Sequence, residues 1–147
     1  MEFNKFIEAL AERLGIEIEN AGGAAAIEVN GVDVILQDAG KGLLFIHADL
    51  GEVAPDIREN ILQVAMDANF LYQGTGGATL ARNPRDGHLY LQRYNWLERL
   101  DVEQAMTAFE HLVDTVMAWQ AILADGAALS HDASPATSDI PYIGISV

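Results

Sequence analysis

The chain is predicted to be an α+β domain in the order α-β-β-β-α-β-β-α: an antiparallel five-stranded sheet with three helices. Three observations predict it. Apolar residues recur at helical steps in three separate stretches. Shorter apolar or alternating runs of strand length lie between those stretches. The strands are separated by Asn-Gly and Asp-Gly, dipeptides that accept the positive φ angles of tight hairpins.

The first helix is marked by Phe3, Phe6, Ile7, Leu10 and Leu14, with Glu8, Glu12 and Arg13 between them, and it ends near Gly15. After Ala21-Gly22-Gly23, Ala26-Ile27-Glu28-Val29 meets Val32-Asp33-Val34-Ile35-Leu36 across Asn30-Gly31. A second break at Ala39 to Gly42 leads into Leu43 to Ala48, apolar enough for a central strand. The second helix extends from Pro55-Asp56 toward Tyr72. Proline in the first turn and an acidic residue at the positive end of the dipole both favour that start. Residues 78–82 and 88–94 flank Asn83-Pro84-Arg85-Asp86-Gly87 as a second hairpin. Asp101 is placed to cap a third helix whose stripe includes Val102, Ala105, Phe109, Leu112, Val116, Trp119 and Leu123, and which is expected to stop before Gly126. This gives a domain over residues 1–124 and a flexible, linker-like tail over 125–147 that ends in the apolar Ile140-Pro141-Tyr142-Ile143-Gly144-Ile145.

Composition narrows the function. The 147 residues suit one domain with a real core. No apolar run approaches the roughly 20 residues needed to span a bilayer, and the first residues lack the pattern of a secretory signal, so a cytoplasmic address is expected. There is no cysteine, which excludes disulfides and thiolate chemistry. The formal charge of -14, from 22 acidic and 8 basic residues, repels phosphate backbones and anionic lipid, which argues against nucleic acid or a membrane as partner. The same acidity serves solubility in general, or shields a sticky apolar surface in particular.

The second helix is the most informative element. Ile57, Ile61, Val64, Ala68 and Leu71 form one stripe, and Leu62, Met66 and Phe70 form another turned well away from it. A helix apolar on two faces is sunk in its own core or pressed against another chain. A domain of this size seldom has enough layers to surround a helix, so a partner is expected at Leu62, Met66 and Phe70.

Catalytic chemistry is poorly represented. His47, Asp49 and Glu52 could pair an imidazole with carboxylates, since a strand puts His47 and Asp49 on one face. No nucleophile motif supports them, and solvent-exposed polar residues explain them as well. His88, His111 and His131 are scattered without metal-ligand spacing, so no metal or other cofactor is expected. Gly74-Thr75-Gly76-Gly77 lacks the P-loop pattern and follows a helix, so it reads as a turn.

From about Phe3 to Leu123 the chain resembles the class I type III secretion chaperones of the Tir chaperone (CesT-like) family. The resemblance is carried by Asn69-Phe70, Gly76-Gly77-Ala78-Thr79-Leu80, Gly87-His88-Leu89-Tyr90-Leu91 and Trp119, together with the element order and the low pI. It implies a non-enzymatic, cytoplasmic bacterial homodimer that holds the N-terminal segment of a secreted effector in extended form. Delivery to the secretion apparatus follows, with its ATPase as a further partner. The dimer contact implied by the family uses the second helix and the strand after it, here Leu62, Met66, Phe70, Ala78 and Leu80. The implied effector-facing patches come from the first helix and the sheet, with Phe3, Phe6, Leu44 and Ile46 as candidates, although periodicity by itself assigns most of these to the core. The alternative is a dimer that sequesters a regulator of secretion gene expression.

Overall fold

The computed structural model describes residues 1–129. Helix α1 spans Phe3–Leu14 and is followed by β1 (Asn20–Ala21), β2 (Ala24–Val29), β3 (Val32–Asp38) and β4 (Leu43–Glu52). Then come α2 (Arg58–Asn69), a 3-10 turn at Phe70–Tyr72, β5 (Thr79–Arg82), β6 (His88–Trp96), a second 3-10 turn at Leu97–Arg99, and α3 (Val102–Leu129). The strands form one antiparallel sheet in the order β1-β2-β3-β4-β6-β5.

Local chemistry accounts for most boundaries. Gly15, at φ 65°, closes α1 by donating its N–H toward Ala11 and Glu12. Asn30 and Gly31 both take positive φ, at 49° and 78°, which is the turn that the right-handed twist of a two-residue hairpin requires. Asp101 caps α3 reciprocally with Gln104: each side chain accepts from the other residue's backbone N–H, at 2.8 and 3.0 Å.

Two expectations are corrected. The sheet has six strands, because Gly22-Gly23 folds Asn20–Ala21 back onto Ala24 and Ala25 instead of merely breaking the chain. Helix α3 does not stop before Gly126 but runs through it to Leu129. A Cβ at Gly126 would lie 3.3 Å from the Cδ1 atoms of both Ile57 and Ile61, so this glycine permits a close crossing of α3 over the start of α2. Of the flexible tail expected over 125–147, residues 125–129 belong to α3, and the rest, including the apolar Ile140 to Ile145, lies outside the described residues.

One face of the sheet builds the core. Ile27, Val34, Leu36, Leu44, Ile46, Ala48, Leu80, Leu89 and Leu91 alternate onto that face and cluster with Phe6 and Leu10 of α1, Ile61 of α2, and Phe109, Leu112, Val116 and Trp119 of α3. Burying side chains of this size stabilises by about 1.5–3 kcal/mol each. The opposite face, with Ile35, Phe45, His47, Tyr90 and Tyr94, is only partly covered.

Candidate functional site

Besides Tyr94 and Trp96 on the outer face of the sheet, 57% and 43% exposed, two surfaces present apolar groups that the fold itself does not use. The first is the outer side of α2. Its inner stripe, Ile57, Ile61 and Ala65, is buried, while Met66 is 71% exposed and Phe70 67%. Leu62 is half-buried beside them. The helix ends at Asn69, and Leu71 and Tyr72 then take left-handed backbone angles, φ 52° and 57°. That conformation costs a non-glycine residue about 1–2 kcal/mol. Its effect is to swing Leu71 out of the inward stripe expected for it, to 70% exposure, next to Tyr72 at 52%.

The turn after α2 is pinned from several sides. A Cβ on Gly74 would stand 2.6 Å from Cβ of Ala68, so only glycine fits, and Trp119 Nε1 donates to the Gly74 carbonyl at 2.9 Å. Arg93, whose pKa burial pushes below the ordinary arginine value, donates to the Gly76 carbonyl at 3.2 Å. The Asn69 side chain accepts from the Leu80 N–H at 2.8 Å and donates to the Leu80 carbonyl at 3.0 Å. Strand β5 is the last in the sheet, so this clamp occupies the outward backbone groups of Leu80 and blocks strand addition there. Ala78 and Leu80, expected at a dimer contact, are buried in the chain's own core.

The second surface lies at the opposite end of the sheet. Only Ala24 and Ala25 of β2 pair with β1, and no described strand lies beyond Ala26–Val29. A groove of about 370 Å³ runs beside that stretch. Its apolar lining comes from Leu14 and Ile16, at the end of α1 and just after it, from Phe109 and Val113 of α3, and from Ile27 and Val29 of β2. Leu14 and Ile16 are 43% and 45% exposed. An open strand edge beside an apolar trough can take up an extended peptide, through backbone hydrogen bonds along the edge and alternate side chains in the trough.

Phe3, Phe6, Leu44 and Ile46 have no part in either surface. All four are buried, because α1 turns its phenylalanines onto the sheet and the even-numbered residues of β4 face the helices. Exposure, rather than hydrophobicity, separates Leu14 and Ile16 from them. The available signal was position: Leu14 sits in the last helical turn and Ile16 beyond the Gly15 cap, where a helical stripe stops matching the core.

The histidine cluster differs from the one the sequence suggests. Glu52 lies beyond an irregularity in the β4–β6 register and is within 4.0 Å of Arg58, while the His47 ring lies tilted against Phe45 at 5.0 Å between ring centres. Asp49 instead meets His88, whose Nδ1 is 2.9 Å away, and accepts from the Tyr90 hydroxyl at 3.1 Å and the Gly51 N–H at 2.8 Å. Burial alone would raise the Asp49 pKa, but these hydrogen bonds outweigh it and hold the carboxyl below its ordinary value. The bond to Asp49 raises the His88 pKa, and burial lowers that of His47. Among the described residues no hydroxyl donates to the His88 ring, and no three His, Cys, Asp or Glu side chains converge on a metal position. The cluster ties β4 to β6. No helix among the described residues is long and apolar enough to cross a membrane.

The fold is shared with solved structures. One chain of the ExsC–ExsE complex matches at a TM-score of 0.66 and 21% identity, over 82% of this chain and 92% of that one. A chain of the HopA1–SchA chaperone–effector complex matches at 0.64 and 15% identity, over 81% and 93%. So does a chain of the complex between the Yersinia pestis type III secretion chaperone SycH and a stable fragment of YscM2, at 0.63 and 20%, over 79% and 98%. No curated protein sequence matches the chain. The family model for the Tir chaperone protein (CesT) family matches residues 5–120, most of the sequence, and the chain belongs to that family.

Proposed function

We propose that this protein is a type III secretion chaperone: a cytoplasmic homodimer that binds the N-terminal segment of a secreted effector in extended form and keeps it soluble. The observation that carries the reading is the open edge of β2 beside the apolar groove between Leu14, Ile16, Phe109 and Val113. An extended partner needs both features together, backbone groups along an edge and a trough for alternate side chains. The solved complexes of similar fold support it, since one holds a chaperone with an effector and another a secretion chaperone with a protein fragment.

Dimerisation is assigned to Leu62, Met66 and Phe70 with Leu71 and Tyr72, at the other end of the sheet from the groove. Separate surfaces allow a dimer to present two grooves at once. The function needs binding and release but no bond chemistry, so no catalytic turnover is expected.

The test is affinity capture with the full chain and with Ile16→Asp, which places a charge in the trough at an exposed position. Wild type is expected to retain a secreted protein, to lose it when that protein's N-terminal segment is deleted, and to bind it at least tenfold more tightly than the variant does, the effect of leaving a charge in an apolar contact. A wild-type monomer that retains no secreted protein would overturn the proposal. Retention of a cytoplasmic regulator instead would transfer the function to sequestration.

A further inference from the structure

The chemistry around the groove identifies its occupant more narrowly. Glu28 and Asp33 stand directly opposite each other across β2 and β3, both exposed, on the sheet face away from the helices. Like charges in that position destabilise a sheet. Neither β2, β3 nor α3 contains a lysine or arginine to offset them. Asp114 adds a third carboxylate on the α3 side of the groove, and Glu110 a fourth. The nearby cation, Arg13, is engaged by Glu103 at 2.6 Å and by Glu110 at 3.9 Å. Glu28 and Asp114 thus line an apolar trough, with Asp33 across the strand pair from Glu28, and among the described residues none of the three has an ion-pair partner.

We propose that the β2 groove takes an extended strand in which apolar residues alternate with lysine or arginine, the apolar set entering the trough and the basic set lying beside Glu28. This rests on the groove being the effector site. The alternation follows from strand geometry: on a strand added along β2, every second side chain shares the face of Ile27 and the others share the face of Glu28. A side chain opposite Glu28 would have its Cβ about 5 Å from that of Glu28, close enough for a direct ion pair. The basic set therefore offsets the repulsion between Glu28 and Asp33 that the free protein carries. The chain's own residues 130–147 suit the groove poorly, since they hold Asp132 and Asp139 and no lysine or arginine. A second copy would bring the same acidic edge.

Fluorescence anisotropy on the full-length protein tests this with labelled peptides of about nine residues, a common strand length. The peptides alternate valine with lysine, serine or glutamate. At low salt the lysine peptide is expected to bind about tenfold more tightly than the glutamate peptide, and near 0.5 M salt, where the Debye length is only about 4–5 Å, the gap is expected to fall below about twofold. Glu28→Lys/Asp33→Lys, both exposed, is expected to reverse the preference. Equal binding of all three peptides would overturn the basic preference while leaving the groove as the site. Failure of every peptide to bind would remove the groove and the effector reading with it. Binding that emerges only in Ile143→Asp/Ile145→Asp would identify the chain's own C-terminal segment as occupant, and a loss of dimer mass in Ile16→Asp would identify a second copy; either result overturns the proposal.

Discussion

Helices α1 and α2 have the same length, 12 residues. α1 turns Phe3, Phe6, Ile7 and Leu10 inward and shows water a face of Glu2, Asn4, Lys5 and Glu8. Over the same length α2 buries only Ile61 and Ala65, leaves Met66 in solvent, and passes into the exposed Phe70, Leu71 and Tyr72. Up to Leu10 the apolar stripe of α1 is closed within the chain and only Leu14 of its last turn stays exposed, whereas α2 leaves its second stripe largely in solvent. Clusters of exposed large apolar side chains are uncommon on monomers and mark surfaces that meet a partner. Strain points the same way, because Leu71 and Tyr72 hold left-handed angles and yet end with their side chains in solvent.

The sharpest way to break this contrast is to substitute one residue in each helix. Phe6→Ala empties a fully buried position and is expected to lower the unfolding free energy by about 3–5 kcal/mol, read by urea denaturation. Met66→Glu is expected to leave the stability of the protomer within about 0.5 kcal/mol, because the side chain is already in water. The same change puts an unpaired charge into the proposed dimer contact, which is strongly unfavourable, and light scattering should report half the wild-type mass. A dimer that persists in Met66→Glu would remove α2 from the interface. A Phe6→Ala protein as stable as wild type would mean that α1 is not the closed partner in the comparison.

The two edges of the sheet extend the comparison. β5 is closed by the Asn69 amide, and β2 beyond Ala25 is open. Asn69→Ala leaves the Leu80 N–H and carbonyl without their partners and is expected to cost about 1–3 kcal/mol by the same denaturation measurement. It should also make β5 a second edge that binds extended peptides. If the variant is no less stable and binds no more peptide, the clamp does not govern which edge is available.

Much of this was legible in the sequence, for reasons that differ from element to element. The β2–β3 hairpin was visible because Asn30-Gly31 states its turn locally, and the α3 start because Asp101 stands as a capping residue just before the apolar stripe that begins at Val102. The two-sided character of α2 was visible in its two apolar stripes. The burial of Phe3, Phe6, Leu44 and Ile46 was half-visible: period placed them in the core, and the family resemblance drew them outward. The rest depends on contacts far apart in the chain. The pairing of Asp49 with His88 joins residues 39 apart, and the crossing at Gly126 depends on Ile57 and Ile61. A glycine late in a helical pattern reads as a stop when its neighbours are unseen and as a close approach when they are seen. The left-handed angles of Leu71 and Tyr72 have no local signal, since neither residue favours them.

The smallest expected effect tests whether the Asp49–His88 contact ties β4 to β6, an internal role that needs no partner. The His88 pKa is raised in the folded protein by its bond to Asp49, so its stabilisation is complete below the unfolded value and fades as pH rises through the folded one. The Asp49 pKa is lowered on balance, so its stabilisation is complete above the unfolded carboxylate value and fades as pH falls through the folded one. The pair therefore contributes most between those limits. His47 acts in the opposite sense: burial lowers its pKa, so protonation below the ordinary histidine value costs stability. The urea midpoint of wild type alone would mix these trends. The difference between wild type and His88→Gln isolates the pair, and it is expected to be largest near pH 5 to 6 and to shrink toward about pH 9. Added salt should reduce it further, because the contact is partly exposed. A difference that stays constant across that range would mean that His88 acts through its shape and hydrogen bond alone, without the charge that links it to Asp49.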